Sequence, residues 1–206
     1  MCGRYVVTNA VTKTNKLVKS AIQVEDKENY NAHPYQKLPV IKKYKNGNTL
    51  ENLKWGIAPG WTKKKDFKAL INARLETIDE KISFKNLIKL HRCVAVADGF
   101  YEWKREEKNK IPYYFLREDK KNIYMAGIYE NNEFCLITEK ANSKVSEIHN
   151  RQPVILNESD VNRYLNLEFS GSAFLKECNR TNLSFYEISK EVNKPNNNSI
   201  SLIQPK

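Results

Sequence analysis

The chain has 206 residues, 40% of them hydrophobic, and its formal net charge at neutral pH is +11. This length fits one large domain better than two small ones, so we expect a single domain over residues 1–206 with a polar tail from about residue 193. The excess of Lys and Arg favours a polyanionic partner, most simply nucleic acid. No apolar run approaches the ~18 residues that span a bilayer, and no signal peptide precedes Cys2. We therefore expect a soluble, cytoplasmic protein with reduced thiols and no membrane partner.

The hydrophobic pattern predicts a series of short elements without a βαβ rhythm. The predicted strands are Cys2–Thr8, Leu38–Tyr44, Thr49–Ile57, Cys93–Lys104, Pro112–Arg117, Tyr124–Tyr129, Phe134–Thr138 and Leu183–Ile188. The predicted helices are Val11–Val24, Ile71–Ile78, Ile82–Leu90, Asp160–Leu165 and Ser172–Cys178. Asn46-Gly47 is a strong hairpin-turn signal between two of the strands. This order predicts an α+β fold, with a mostly antiparallel β-sheet or barrel core and several short helices. The polar, Asn-rich tail Asn193–Lys206 is expected to end in disordered residues.

The four cysteines, Cys2, Cys93, Cys135 and Cys178, are widely separated. They form no CxxC pair and no Cys/His cluster with zinc spacing, so we expect neither a metal site nor a cofactor. Cys93 and Cys135 lie in apolar, strand-like runs and are expected to be small core residues.

Cys2 is the cysteine that suggests chemistry. Removal of Met1 would leave Cys2 with a free α-amine beside its thiol. Such a 1,2-aminothiol condenses with an aldehyde to a Schiff base, and the sulfur then closes onto the same carbon to form a thiazolidine. The α-amine has a reference pKa of ~7.7–8.0, against ~10.4 for lysine, so much more of it is nucleophilic at neutral pH. The alternative is that a cysteine near the start of the chain is incidental.

A carboxylate in an aromatic run is the second signal. Glu102 lies within Gly99-Phe100-Tyr101-Glu102-Trp103, where strand alternation puts it on the face of Phe100, opposite Trp103. A carboxyl group among apolar rings loses solvation, its pKa rises, and it becomes useful as an acid or base near neutrality. The alternative is a solvated glutamate on an edge strand.

His149 is the third candidate. It follows a predicted short helix and precedes Arg151 and Pro153, at the kind of junction where site residues are commonly presented. A histidine there can donate a proton near neutral pH. The alternative is a histidine with a purely structural role.

Two polar residues and two aromatic ones complete the candidates. Asn72 can both donate and accept hydrogen bonds, and Arg74 has a fork geometry that suits phosphate, although both also fit a helix start and a surface charge. Trp55 and Trp61 flank a Pro-Gly break beside Lys63–Lys65, a combination typical of base-stacking platforms, although core packing is the commoner fate of a tryptophan. Asn31-Ala32-His33-Pro34 is a turn-forming stretch that would make a rigid lip.

These segments, in this order, resemble the SRAP family (SOS response-associated peptidase domain), whose members form DNA–protein crosslinks at abasic sites. The resemblance spans residues 2 to about 193. The matching segments are Met1-Cys2-Gly3-Arg4-Tyr5, Trp55-Gly56 through Trp61, Asn72-Ala73-Arg74-Leu75-Glu76-Thr77, Arg92-Cys93 with Gly99–Trp103, and Ile148-His149 with Arg151 and Pro153. The chain departs from the family pattern at Gln152, where the family usually has methionine, and at Ala95-Val96-Ala97, where a proline is common. Neither departure removes a reactive group.

The resemblance implies a covalent sensor of abasic sites in single-stranded DNA, including junctions with duplex, that acts as a monomer and associates with the nucleoid when bound to DNA. It implies that Cys2 is the nucleophile, through its amine and its sulfur, and that Asn72 orients the amine or the sugar. Glu102 would shuttle protons, and His149 would help to open the sugar ring. The implied DNA-binding residues are Arg4, Asn31, Pro34, Trp55, Trp61, Arg74 and Arg151.

Two other functions fit the same residues. One is a cysteine peptidase of the N-terminal nucleophile type, which would hydrolyse its own Met1-Cys2 bond. The other is a non-catalytic basic module that binds RNA or DNA and retains Met1.

Overall fold

A computed structural model of the chain describes residues 2–45, 47–60, 67–107 and 109–206. Within these ranges the strands are β1 (Tyr5–Val7), β2 (Ser20–Ile22), β3 (Asn29–Ala32), β4 (Lys37–Tyr44), β5 (Gly47–Trp55), β6 (Asn72–Arg74), β7 (Arg92–Ala97), β8 (Gly99–Glu106), β9 (Asn109–Arg117), β10 (Ile123–Glu130), β11 (Glu133–Lys140), β12 (Arg151–Pro153), β13 (Ile155–Leu156) and β14 (Leu183–Glu187). The α-helices are α1 (Ala10–Thr14), α2 (Leu87–Leu90), α3 (Ser143–Ser146), α4 (Glu158–Leu165) and α5 (Gly171–Glu177). Short 3₁₀ helices cover Leu75–Thr77, Lys190–Asn193 and Ile200–Ile203. The predicted α+β fold with a mostly antiparallel core is confirmed.

The larger sheet closes on itself to form a barrel. Strands β11, β10, β7, β4 and β5 follow one another in antiparallel pairs, and a parallel pairing between β5 and β11 joins the two ends. Every residue of β7 is buried, because one face lines the barrel and the other is covered by α2 and α4. A strand buried on both faces reads as a continuous apolar run, as Cys93–Ala97 does.

The smaller sheet holds the first residues of the chain. Its strand order is β14-β9-β8-β1-β3, so β1 lies between β8 and β3 and is antiparallel to both. Tyr5 pairs with Phe100 on β8 and with Ala32 on β3. Because β1 is an inner strand, all three of its residues are buried and its start is fixed to the sheet.

The structure differs from several element predictions, and for three of them a specific contact gives the reason. The predicted helix Val11–Val24 ends at Thr14, whose hydroxyl donates to the Ala10 carbonyl at 2.8 Å, and the chain then forms β2. Ile71–Ile78 forms a strand and a 3₁₀ turn, because β6 pairs in parallel with β11. The single strand predicted over Cys93–Lys104 is divided at Asp98, whose carboxylate accepts the Thr8 amide at 2.8 Å and binds the Lys13 ammonium.

The C-terminal segment is ordered, contrary to the expected disorder. Ile200–Ile203 forms a 3₁₀ helix, and Leu202 is 2% exposed in a small core with Val6, Tyr30 and Tyr101. The apolar residues of this segment are few, but the Asn198 side chain accepts the Tyr30 amide and donates to the Glu28 carbonyl, and the Asn31 side chain donates to the Asn197 carbonyl. In the described ranges no helix is long and apolar enough to cross a membrane.

Tyr5 has a buried hydroxyl group that neither donates nor accepts a hydrogen bond among the described residues. Its ring packs 5.1 Å from the ring of Trp55, inside the main core. We expect Tyr5→Phe to raise the free energy of unfolding by about 1 kcal/mol, because it removes a desolvated polar group that gains nothing in return. Denaturant unfolding of the two proteins measures this difference.

Tyr101→Phe is the matched control for Tyr5→Phe. The Tyr101 hydroxyl is also buried, but it donates to the Tyr30 carbonyl at 2.7 Å. Its removal should therefore lower the free energy of unfolding by about 1 kcal/mol. Equal losses in the two variants would contradict the assignment of the Tyr5 hydroxyl as unpartnered.

Candidate active site

The four predicted catalytic residues, Cys2, Asn72, Glu102 and His149, come together at one place. The Asn72 side-chain amide donates to the Cys2 carbonyl at 2.9 Å. His149 Nδ1 lies 3.9 Å from Glu102 Oε1. The Glu102 carboxylate is close enough to the Cys2 thiol for its charge to raise the pKa of that thiol. Residues that are distant in sequence are therefore assembled by β1, β6, β8 and the turn before β12.

Glu102 owes its place to the pairing of β8 with β1. Phe100 pairs with Tyr5, and the Tyr101 amide donates to the Arg4 carbonyl at 3.0 Å. Glu102 is two residues beyond Phe100, so its side chain points to the same face as that of Phe100, toward the barrel. The Glu102 side chain is 4% exposed. Burial raises the pKa of this carboxyl above its ordinary value, while the nearby His149 opposes the rise.

The Cys2 thiol is neutral in this setting. Cys2 is fully buried within the main core. Burial raises the pKa of the thiol far above its ordinary value, and the Glu102 carboxylate adds to the rise. Reactive cysteines are activated by nearby positive charge, whereas the side chain beside this one is a carboxylate. The thiol is thus suited to react after another group has acted first, and less suited to begin a reaction as a thiolate.

Both polar backbone atoms of Arg151 lie beside one ring nitrogen of His149. The amide nitrogen of Arg151 donates to His149 Nδ1 at 3.0 Å, and the Arg151 carbonyl oxygen lies 3.2 Å from the same atom. These contacts fix the orientation of the ring. His149 is one-quarter exposed, and it lines a cavity together with Glu102. The ring can therefore form a hydrogen bond with a ligand in that cavity.

Asn72 is positioned by β6, which adds to the edge of the barrel at β11. The preceding carbonyl, of Ile71, accepts a hydrogen bond from the Trp55 indole at 2.9 Å. While the Asn72 amide nitrogen binds Cys2, its Oδ1 atom is buried and accepts no hydrogen bond from any described residue. This oxygen is an acceptor available to an amine or hydroxyl group that enters the site.

A cavity of about 270 Å³ opens above Glu102 and His149. Sequence reasoning missed four of its lining residues, Trp103, Arg105, Lys110 and Asn193. The Trp103 indole donates to the Asn193 side chain at 2.8 Å, which holds the ring at the rim. Trp103 and Arg105 alternate with Glu102 and Lys104 along β8, and Arg105 pairs with Lys110 on β9. This alternation is the signal that could have identified the two basic residues of the cavity.

Two of the predicted DNA-binding residues lie at the surface. Arg74 is exposed, two residues after Asn72 on the same strand, and forms no ion pair with another described residue. Pro34 is half-buried in the turn after β3, beside the exposed ring of Tyr35. Trp61 and the basic loop Lys63–Lys65 lie outside the described residues.

Two other predicted DNA-binding residues, Trp55 and Asn31, lie inside the protein. Trp55 has no exposed surface, because its ring packs between those of Tyr5 and Phe134 in the core. Asn31 is 1% exposed, and its amide donates to the carbonyls of Val192, Lys194 and Asn197. Both residues look like ligand-binding residues in sequence, but they hold the scaffold together.

Two predicted DNA-binding arginines are already engaged within the protein. Arg4 donates to Asn31 Oδ1 at 2.6 Å and to the Val192 carbonyl at 2.9 Å. Arg151 forms a two-pronged ion pair with Glu76, at 2.7 and 2.9 Å, and its side chain is 14% exposed. Arg4 therefore links the segment before β1 to β3 and to the 3₁₀ helix Lys190–Asn193. The charge of Arg151 is compensated by Glu76.

The departure from the family pattern at Gln152 has a simple structural account. The side chain is 3% exposed, donates to Glu139 at 2.9 Å and accepts the Asn142 amide at 3.0 Å. Both polar ends are satisfied, so a glutamine fits a buried position where an apolar residue would also pack.

A larger groove of about 560 Å³ lies along β3 and β4, with Asn29, His33 and Gln36 in its wall. It contains none of the four catalytic candidates. Among the described residues, no group of three or more His, Cys, Asp or Glu side chains lies close enough to hold a metal ion.

Comparison with known proteins identifies relatives over the full length of the chain. The family model described as "SOS response associated peptidase (SRAP)" matches residues 1–195. The chain is 32% identical to abasic site processing protein YoqW of Bacillus subtilis, over 99% of both chains. It is 31% identical to abasic site processing protein YedK of Escherichia coli, over 100% of both. A solved structure from Bacteroides thetaiotaomicron superposes with a TM-score of 0.83 at 24% identity, covering 100% of both chains, and so has the same fold.

The Glu76–Arg151 ion pair predicts a pH dependence of stability. Hydrogen bonds from Arg151 lower the pKa of Glu76 from its ordinary 4.5 to about 2. The pair therefore contributes fully above pH 4.5, and its contribution falls as the pH drops toward 2. Because the Glu76 side chain is 46% exposed, solvent screening limits the contribution to about 1 kcal/mol. Denaturant unfolding of wild type and Glu76→Gln should differ by this amount at pH 6 and converge near pH 2. A difference that persists unchanged at pH 2 would contradict the assignment.

Proposed function

This chain belongs to the SOS response associated peptidase family, and we propose that it processes abasic sites in DNA by capturing them covalently at Cys2. The relatives named above as abasic site processing proteins support this assignment. The observation that carries the proposal is the cluster itself, in which Asn72 holds Cys2 beside the buried carboxyl of Glu102. Single-stranded DNA, including its junctions with duplex, is the proposed partner.

The reaction begins when Met1 is removed, because hydrolysis of the Met1-Cys2 peptide bond creates the α-amine. The amine adds to C1′ of the ring-opened abasic sugar, and loss of one water gives an imine. The thiol sulfur then adds to the same carbon while the S–H proton moves to the nitrogen, which closes the thiazolidine ring. The order of these steps fits the electrostatics of the site, since the Cys2 thiol is protonated and the amine is the better first nucleophile.

The neighbouring residues supply proton transfer and positioning. Glu102, with its raised pKa, can accept a proton from the attacking amine and return it to the departing hydroxyl group. His149, whose ring lines the cavity beside Glu102, can donate a proton to the sugar oxygen as the ring opens. The free Oδ1 of Asn72 can accept a hydrogen bond from the amine. Holding the scarce aldehyde against the amine replaces a slow encounter in solution.

The autopeptidase alternative fits the site less well. A cysteine peptidase attacks with a thiolate, usually activated by a histidine. Burial and the Glu102 carboxylate both raise the pKa of the Cys2 thiol and keep it protonated. The same neutral thiol suits ring closure onto an imine, because its proton moves to the imine nitrogen as the sulfur bonds to carbon.

The first test of the proposal is adduct formation. Protein whose intact mass shows that Met1 is absent should give a heat-stable adduct with a uracil-excised oligonucleotide on a denaturing gel. Cys2→Ala should give no adduct, because it lacks the sulfur that closes the ring. Cys93→Ala is the control for loss of a buried thiol outside the site and should retain the adduct. An equal yield from Cys2→Ala and wild type would refute the proposed chemistry.

The second test concerns Glu102. We expect Glu102→Gln to lower the rate of adduct formation by about 100-fold or more, since general acid–base catalysis typically contributes at least that much. Glu106→Gln is the matched control, because Glu106 lies on the same strand and face but is half-exposed and paired with Lys104. Single-turnover rates measured on denaturing gels decide the question. Equal rates for the two variants would remove Glu102 from the mechanism.

A further inference from the structure

Five exposed residues form a basic surface at the end of the β4–β5 hairpin. They are Lys16, Lys19, Lys43, Tyr44 and Lys45, and we refer to them as the distal basic patch. Lys16 and Lys19 come from the segment between α1 and β2, whereas the other three end β4 and begin the turn. The four lysines carry a substantial part of the protein's net charge of +11.

Specific contacts bind the two segments of the patch together. The Lys19 amide donates to the Asn48 carbonyl at 2.9 Å, and the Asn48 side chain donates to the Leu17 carbonyl at 3.0 Å. Asn48 is 6% exposed and also donates to Asn162 on α4 at 2.7 Å. The Lys19 side chain lies directly over Gly47, where a Cβ atom would approach its Cδ to 2.5 Å. The patch is therefore a fixed surface in which each segment has a defined place.

The positive charge of the patch is not compensated within the described residues. None of its four lysines forms an ion pair with another described residue, whereas the adjacent Lys42 is paired with Glu51 at 2.6 Å. Lys42 already neutralises Glu51, and no carboxylate of a described residue forms an ion pair with the four lysines of the patch. Uncompensated lysines clustered on one surface attract a polyanion.

Tyr44 adds an aromatic surface to the charge. Its side chain is 49% exposed, and the Lys45 ammonium lies 5.4 Å from the centre of its ring. An exposed aromatic ring beside lysines is a combination that binds single-stranded nucleic acid, because the ring stacks on a base while the lysines contact phosphates. Charge attraction alone would not require an exposed aromatic ring.

The patch and the candidate active site lie at opposite ends of the β4–β5 hairpin. Trp55 ends β5 at the far end of this hairpin, and its indole donates to the Ile71 carbonyl, next to Asn72. Strand β4 has 8 residues, so at roughly 3.3 Å per residue the two ends are about 25 Å apart. A DNA strand held in the active site must therefore extend well beyond the abasic nucleotide before it reaches the patch.

We propose that the distal basic patch is a second DNA-binding site, which holds the single strand that flanks the captured abasic nucleotide. The lysines contact its phosphates, and Tyr44 stacks on an unpaired base. The inference rests on the proposed function in one respect only, which is the identity of the nucleotide in the active site. It makes affinity dependent on the length of the strand, and this dependence is what the experiment measures.

The test compares non-covalent binding of a long and a short strand in a Cys2→Ala background, by fluorescence anisotropy. The patch variant combines Lys16→Gln, Lys43→Gln and Lys45→Gln, and leaves Lys19 in place because its side chain packs on Gly47. For a strand of about 20 nucleotides we expect Kd to rise on the order of ten-fold near 0.1 M salt. The slope of log Kd against log salt should fall by about 2, at ~0.7 per lost phosphate contact. For a strand of about 4 nucleotides whose abasic residue places it in the active site, the patch about 25 Å away is out of reach, and Kd should change less than about two-fold.

The matched control removes the same charge elsewhere. Lys81→Gln, Lys85→Gln and Lys89→Gln together replace three exposed lysines that also lack an ion pair with described residues. An equal loss of affinity in this control, or an equal loss for the short and long strands in the patch variant, would overturn the proposal in favour of general charge attraction. No loss in the patch variant would overturn it as well. Circular dichroism confirms that each variant is folded.

Tyr44 provides a second, independent readout. Tyr44→Ala should raise Kd for the long strand by about five-fold or more, and Tyr44→Phe should keep wild-type affinity because stacking needs only the ring. Equal affinities of Tyr44→Ala and Tyr44→Phe would remove stacking from the proposal. Because these assays measure binding and not adducts, failure of the thiazolidine chemistry would leave their outcome unaffected.

Discussion

The position of β1 as an inner strand is the constraint on which the site depends. A strand between two neighbours is fixed on both edges, and here β8 and β3 hold the chain from Tyr5 onward. The residues just before the strand have little freedom left. Asn72 then fixes the carbonyl of Cys2 from the side. Cys2, which lies three residues before this strand, is therefore buried and held in place.

Confinement also sets the electrostatics of the site. Burial raises the pKa of the Glu102 carboxyl and of the Cys2 thiol, so both groups favour their neutral forms more strongly than they would in water. The Glu102 carboxylate also disfavours the thiolate form of Cys2, because both would be anions. A pair of this kind moves protons readily but does not supply a permanent thiolate. The chemistry that it suits is addition to a carbonyl followed by loss of water, in which protons are exchanged at every step.

The sequence predicts the reactive groups better than it predicts their surroundings. Glu102 was recognisable because strand alternation and flanking rings are both local properties, and its burial follows from them. Trp55 and Asn31 could not be assigned correctly in the same way. A tryptophan before a Gly and a Pro looks the same whether its ring faces a ligand or the barrel, and only the closure of β5 onto β11 decides between them. The amide of Asn31 meets carbonyls more than 160 residues away, and no local pattern reports such a contact.

The bond between Arg4 and the Val192 carbonyl joins the opening strand to the closing turns of the chain. Arg4 is two residues from Cys2, so a turn that is made late in synthesis supports residues that are made early. During synthesis the thiol region would stay incompletely packed until residues near 192 had been made. Proteolysis that removes this turn would therefore loosen the residues around Cys2, although the two segments are 188 positions apart in sequence.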